Sequence, residues 1–179
     1  MLTKDHALLC VMDFQDGLLP KIPVAEAILA QAAKLIRFAR ELNIPIVWTE
    51  QYPKGLGVTN ERIARELDGF TPIEKVSFGC FGAPGFPEAL AVMHRKQLVV
   101  VGVETHVCVM QTVLAALASG YEVFVPNDAV GSRFENDYRT GLARMQAHGA
   151  EIVTAEMAMF EILRVAGTPE FKKVLPLIK

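Results

Sequence analysis

Three residues of this 179-residue chain have the types and positions to share one chemistry: Cys108, Asp13 and Lys75. Cys108 ends the stretch Gly102-Val103-Glu104-Thr105-His106-Val107-Cys108, between the apolar run Leu98–Val101 and the helical pattern Val109–Ala118. A thiol there sits at the start of a helix above the end of a strand. Free backbone N–H groups and the positive end of the helix dipole favour a thiolate at that point, so the position predicts a lowered pKa and a nucleophile. Asp13 closes the apolar run Ala7–Met12 and is the available base. Its other reading is to cap the following turn through the N–H groups of Gly17 or Leu18. Lys75 ends a short run from Pro72 to Val76, and lysine is rarely buried unless paired. A cluster of carboxylate, ammonium and thiol satisfies all three groups, whereas Glu74 points to the opposite strand face. Cys10, in mid-strand, reads as an inert core thiol. Cys80 lies in a glycine-rich loop and reads as an exposed thiol without a base. His106 is two residues from Cys108, too close for the side chains to converge, and His6, His94 and His148 read as solvated surface.

The elements that must position these groups alternate between two periodicities. Short β-branched runs at 7–12, 44–48, 72–76, 98–101, 122–125 and 151–153 predict strands. Helical patterns fall at 24–42, 60–67, 86–94, 109–118, 135–148 and 155–165. Residues 52–57 and 78–85 contain glycine and proline and are expected to be loops. The tail from Thr168 to Lys179 is expected to form a helical turn broken by Pro176. Alternation of this kind predicts an α/β domain over 1–179 with a mainly parallel sheet and right-handed crossovers. Ligands in such sheets lie beyond the carboxyl ends of the strands, where Asp13, Lys75 and Cys108 fall.

Composition excludes several classes. The chain is 51% hydrophobic with a mean hydropathy of +0.29. No apolar run approaches the roughly 18–20 residues of a membrane span, so buried strands and a subunit interface account for the excess. A net charge of −2 offers no basic footprint for nucleic acid. Met1–Ala7 lacks a signal-peptide pattern, which makes the cytoplasm the expected compartment. The cysteines form neither a disulfide framework nor a zinc signature.

Val11-Met12-Asp13-Phe14-Gln15, Glu74-Lys75-Val76-Ser77-Phe78 and Val101–Val109 together resemble the isochorismatase-like cysteine hydrolase family. Thr49–Gly57, Asn127–Arg133 and Gly167–Phe171 look closest to its branch of isochorismatase domain-containing proteins. The resemblance implies a Rossmann-like three-layer α/β/α sandwich with a six-stranded sheet of order 3-2-1-4-5-6. It implies Asp13 as general base, Lys75 as stabiliser of the thiolate and intermediate, and Cys108 as nucleophile. It also implies a cis peptide at Val103–Glu104 and an oxyanion hole formed by the N–H groups of Glu104 and Cys108. Nicotinamidases in the family carry an Asp-x-His metal motif after the second strand. Here Glu50-Gln51-Tyr52 stands in its place, so neither metal nor other cofactor is expected. Retention of the cysteine points to a small amide or carbamoyl-type C–N substrate. Phe14, Phe78, Phe81 and Tyr52 are the aromatics expected to form its pocket, and a further copy of the chain is the expected partner. Gln15, Asp128 and Arg133 are expected to fix loops or an interface. The competing reading is a scaffold protein that retains the fold without significant catalysis. A peroxide-sensing thiol, without a Cys-x-x-Cys, ranks last.

Overall fold

Apolar runs of six or seven residues with no polar face form the centre of the molecule. In the computed structural model, which describes residues 1–178, β1 (Ala7–Met12) and β4 (Gln97–Val103) are buried along their full length. They pair in parallel, Leu9 opposite Val99 and Val11 opposite Val101. Outward from β1 lie β2 (Ile46–Gln51) and the short edge strand β3 (Ile73–Lys75). Outward from β4 lie β5 (Glu122–Pro126) and β7 (Glu151–Val153). The order β3-β2-β1-β4-β5-β7, with every ladder parallel, is that of a doubly wound sheet.

Helices cover both faces. On one side pack α1 (Ala25–Glu41), α3 (Glu61–Glu66), α7 (Ala155–Leu163) and α8 (Pro169–Ile178), enclosing Val11, Phe14, Ile36, Phe38, Val101 and Phe124. On the other pack α4 (Phe86–Met93), α5 (Met110–Ala118) and α6 (Glu135–Ala147), enclosing Cys10, Met12, Val100, Cys108 and Val113. Alternation along β1 therefore sends Val11 to the α1 side and Met12 to the α5 side. Asn60 caps α3 by accepting from the Arg62 N–H, and Thr154 caps α7 by accepting from that of Met157. No helix among the described residues is long and apolar enough to cross a membrane.

The structure departs from the expected elements in five places. A seventh strand, β6 (Val130–Gly131), pairs with Gly102 and Val103 at the end of β4. Two residues show no periodicity, so the sequence pattern cannot display it. β2 continues past Trp48 to Gln51, because Thr49, Glu50 and Gln51 find long-range polar partners. The loop at 52–57 contains a single helical turn, α2 (Pro53–Leu56), and the loop at 78–85 a 3₁₀ turn at Cys80–Gly82. α8 runs through Pro176 instead of breaking there. Val174, Leu177 and Ile178 pack on the α1 layer and carry the last turn past the missing N–H. Lys179, the last residue of the expected terminal turn, lies outside the described residues.

Gly102 sets the closeness of the central strands. Its φ is 145°, and a Cβ there would lie 2.3 Å from the Met12 carbonyl oxygen. Both obstacles are backbone-determined, so Gly102→Ala is expected to cost about 3 kcal/mol, read as a lowered urea midpoint at unchanged m-value.

Candidate active site

The strand ends bring Asp13, Lys75 and Cys108 into one buried cluster. β1 ends where Asp13 adopts φ 57°, a left-handed conformation that aspartate tolerates better than most residues. Its carboxylate is fully buried and has two fixed partners. Lys75 Nζ donates to Oδ2 at 2.7 Å, and the Thr49 hydroxyl donates to Oδ1 at 2.8 Å. The Cys108 thiol lies close enough to this carboxylate for its charge to raise the thiol pKa. The alternative turn-capping role for Asp13 is not adopted, since the Leu18 N–H is taken by the Gln15 carbonyl.

Lys75 Nζ has a complete shell. It donates to Asp13, to Gln51 Oε1 at 2.6 Å and to the Phe78 carbonyl at 2.9 Å, with the Ser77 carbonyl farther away at 3.3 Å. An ammonium has three protons, so Lys75 serves through its charge and not through a free N–H. Gln51 is itself held. Its Nε2 donates to the Val76 carbonyl, and its backbone N–H donates to Gln15 Oε1. Gln15 Nε2 in turn donates to the Gln51 and Gly57 carbonyls. Thr49 and Gln51 share one face of β2, two residues apart, while Glu50 on the other face accepts the Thr59 N–H. Sequence reasoning ended the strand at Trp48 and missed both. Two polar residues spaced by two, Thr49 and Gln51, directly after an apolar strand are the signal in the sequence.

Cys108 lies in a wide π turn, Thr105–Val109, that leads into α5, a form that often marks a functional position. The Val103–Glu104 peptide before it is cis. The Glu104 carbonyl accepts the N–H groups of Val107 and Val109, closing the turn around Cys108. The Glu104 carboxylate is held from the far side by the Arg133 backbone N–H at 2.9 Å and by its Nε at 3.1 Å. His106 points to α6, with Nδ1 3.0 Å from Ser132 Oγ and Nε2 3.6 Å from Asp137.

Electrostatics correct one expectation. The helix start was expected to lower the Cys108 pKa, but burial first, and the Asp13 charge second, push it up to about 12. The thiol is 5% exposed, and the loss of hydration outweighs the dipole. Burial likewise lifts Asp13 above the usual carboxylate range against the opposing charge of Lys75. Burial opposes the charge on Lys75, yet Asp13 and then Cys108 outweigh it and leave its pKa raised. The resting cluster is thus an ion pair beside a neutral thiol. Alkylation of Cys108 by iodoacetamide, followed by peptide mass spectrometry, is expected to rise about tenfold per pH unit from 7 to 10 without a plateau.

The expected pocket aromatics divide. Tyr52 borders a cavity of about 310 Å³ together with Lys75, Val76 and Pro84. Phe78 is 56% exposed, and its carbonyl anchors Lys75. Phe14 and Phe81 are placed elsewhere. After the turn at Asp13 the chain sends Phe14 into the core on the α1 side, where its carbonyl accepts the Asn60 N–H. Phe81 packs edge-on against Phe86 at 5.4 Å and Tyr121 at 6.3 Å. Cys80, expected to be exposed, is fully buried. Its Sγ lies 3.8 Å from Thr49 Oγ1, and the pKa of Cys10 is raised first by the Cys80 side chain and then by burial. Among the described residues no group of three His, Cys, Asp or Glu side chains could hold a metal ion. Gln15 and Arg133 fix loops as expected, and Asp128 does so by accepting the Ala155 N–H.

The isochorismatase domain model matches residues 7–157. Isochorismatase domain-containing protein 2A of Mus musculus is 34% identical over 176 residues, 98% of this chain and 84% of its own. The chain belongs to the isochorismatase family. Solved structures of high similarity include one described as MAR1 ribonuclease from Caenorhabditis elegans, with TM-score 0.92 at 34% identity, covering 99% of this chain and 91% of its own. Another is the YcaC gene product of Escherichia coli, described as an octameric hydrolase of unknown specificity. It has TM-score 0.92 at 25% identity and covers 99% of this chain and 88% of its own. The fold is that of an isochorismatase-family hydrolase.

Proposed function

We propose that this chain is a metal-independent cysteine hydrolase that cleaves the C–N bond of a small amide or carbamoyl-type compound through a thioester on Cys108. The observation that carries the reading is the buried Asp13–Lys75 pair at 2.7 Å beside the buried Cys108 thiol, which feels the charge of both groups.

In the first half-reaction Asp13 takes the thiol proton as Sγ attacks the carbonyl carbon. The ionised carboxylate and the neutral thiol are the two protonation states that this transfer requires. Asp13, with its pKa raised, is a better base than a free carboxylate. The Lys75 charge balances the negative charge as it moves from carboxylate to sulfur and then to the carbonyl oxygen. The N–H groups of Glu104 and Cys108 hold that oxyanion, and such donors contribute about 3 kcal/mol each to the transition state. Collapse of the tetrahedral intermediate breaks the C–N bond, and Asp13 returns its proton to the departing amine. Water then attacks the thioester, giving its proton to Asp13, and the acid leaves as sulfur regains a proton.

Burial limits the substrate. Asp13 is fully buried, Lys75 3% exposed and Cys108 5% exposed, so only a small molecule reaches the sulfur. The ribonuclease description of the nematode relative does not transfer on charge, because a net −2 provides no basic footprint for RNA. A homo-oligomer is proposed by similarity to the octameric bacterial relative.

The test is partitioning. With a panel of small primary amides and neutral hydroxylamine, an acyl-enzyme yields hydroxamate in proportion to hydroxylamine, and total turnover is unchanged where acylation limits the rate. Turnover without hydroxamate at any hydroxylamine concentration would exclude the thioester.

A further inference from the structure

A cavity of about 420 Å³ is not the site described above. It lies between the start of α1 and α6, and neither Asp13, Lys75 nor Cys108 lines it. Its floor is apolar: Val24 just before α1, Ala27 and Ile28 from α1, and Val130 from β6. Asp128, Glu135 and Tyr138 also line it. Gly131 admits α1 to this place, since a Cβ there would come 2.9 Å from Ile28 and 3.5 Å from Val24.

The polar end is rich in acceptors. Asp128 uses Oδ1 for the Ala155 N–H, which leaves Oδ2 open. The Tyr138 hydroxyl donates to the Asn127 carbonyl at 2.7 Å, so its oxygen faces outward as an acceptor. Burial first, and then the charges of Glu135 and Asp128, raise the Tyr138 pKa, which places both carboxylates within electrostatic reach of the phenol. No lysine or arginine lines the cavity. Arg139 does pair with Glu135, but across an exposed i,i+4 spacing, where ion pairs are weak.

We propose that this cavity binds a small organic cation, a primary ammonium carried on an apolar chain or ring. The ammonium sits between Asp128, Glu135 and the Tyr138 oxygen, and the apolar part lies on Val24, Ala27, Ile28 and Val130. Three acceptors match the three protons of an ammonium. The volume is within the usual range of small-ligand sites, about 300–1,000 Å³. The site is independent of Cys108 chemistry.

The probe is n-hexylammonium, with hexanoate and hexan-1-ol as matched controls, titrated by calorimetry into the full-length protein. Hexylammonium is expected to bind saturably and at least tenfold more tightly than either control. Asp128→Asn/Glu135→Gln is expected to weaken it at least tenfold while keeping the acceptor for Ala155. Ala27→Phe, at an exposed helix position, fills the cavity without burying a new clash and is expected to abolish binding. Cys108→Ala is expected to bind as the unmodified protein does. Binding of hexanoate as tightly as hexylammonium, or binding untouched by both cavity variants, overturns the proposal. Loss of binding in Cys108→Ala would place the probe in the catalytic site and also overturn it. A smaller elution volume class lost in Ala27→Phe would assign the cavity to a second copy of the chain, with the same consequence.

Discussion

Asp13→Ala is expected to lower folding stability by about 3–5 kcal/mol and to remove turnover with it. The stability loss follows from what remains. Lys75 has a side chain with no solvent exposure, and without Asp13 its charge faces only the neutral oxygens of Gln51, Ser77 and Phe78. Removing one partner of a buried pair leaves an uncompensated charge, which is far more costly than the net contribution of the pair itself. The double variant Asp13→Leu/Lys75→Met removes both charges and is therefore expected to recover most of the stability, with activity still absent. Urea unfolding of the two variants checks this. A single variant as stable as the unmodified chain would mean that Lys75 sheds its proton or reaches solvent, contrary to its raised pKa.

Cys108→Ala is expected to abolish turnover, by about 10⁶-fold if the triad acts as a unit, at a stability cost of only about 1 kcal/mol. Its side chain is small and forms no part of the Lys75 shell, so the fold does not rest on it. Cys108→Ser is expected to be inactive as well, because Asp13 is too weak a base for an alcohol. In the unmodified protein the acid limb of kcat/KM reports Asp13. Activity falls as pH drops through its pKa, which lies above the ordinary 3.8, since the protonated carboxyl cannot accept the thiol proton. No alkaline fall from Cys108 is expected below about 12. A profile that instead rises near pH 8–9 would report a thiol ionising on its own.

What the sequence shows and conceals follows from range. β1, β4 and α1 are legible because their apolar residues carry a local period that one buried face or two demand. Asp13 and Cys108 are legible because a polar group at the end of a wholly apolar strand has few reasons to be there. Thr49 and Gln51 are hidden, since a Thr-Glu-Gln run reads as the end of a strand until Asp13 and Lys75 are known to stand opposite. β6 is hidden because two residues have no period. The sign of the Cys108 shift is hidden for another reason: the helix start is written in the sequence, whereas the depth of burial is a property of the assembled layers. Phe14 shows the same limit. A single left-handed residue, Asp13, decides which side of the sheet the next side chain enters.

The proposed chemistry stands most directly on the sulfur. Incubation with a panel of small amides and aldehydes, quenched in acid and read by intact mass, is expected to show one adduct per chain: the acyl mass from an amide, or the added aldehyde mass as a thiohemiacetal. Peptide mapping should place it on Cys108, with none on Cys10 or Cys80 and none in Cys108→Ala. Turnover of an amide with no adduct under any quench, or turnover retained in Cys108→Ala, would contradict nucleophilic attack by this thiol.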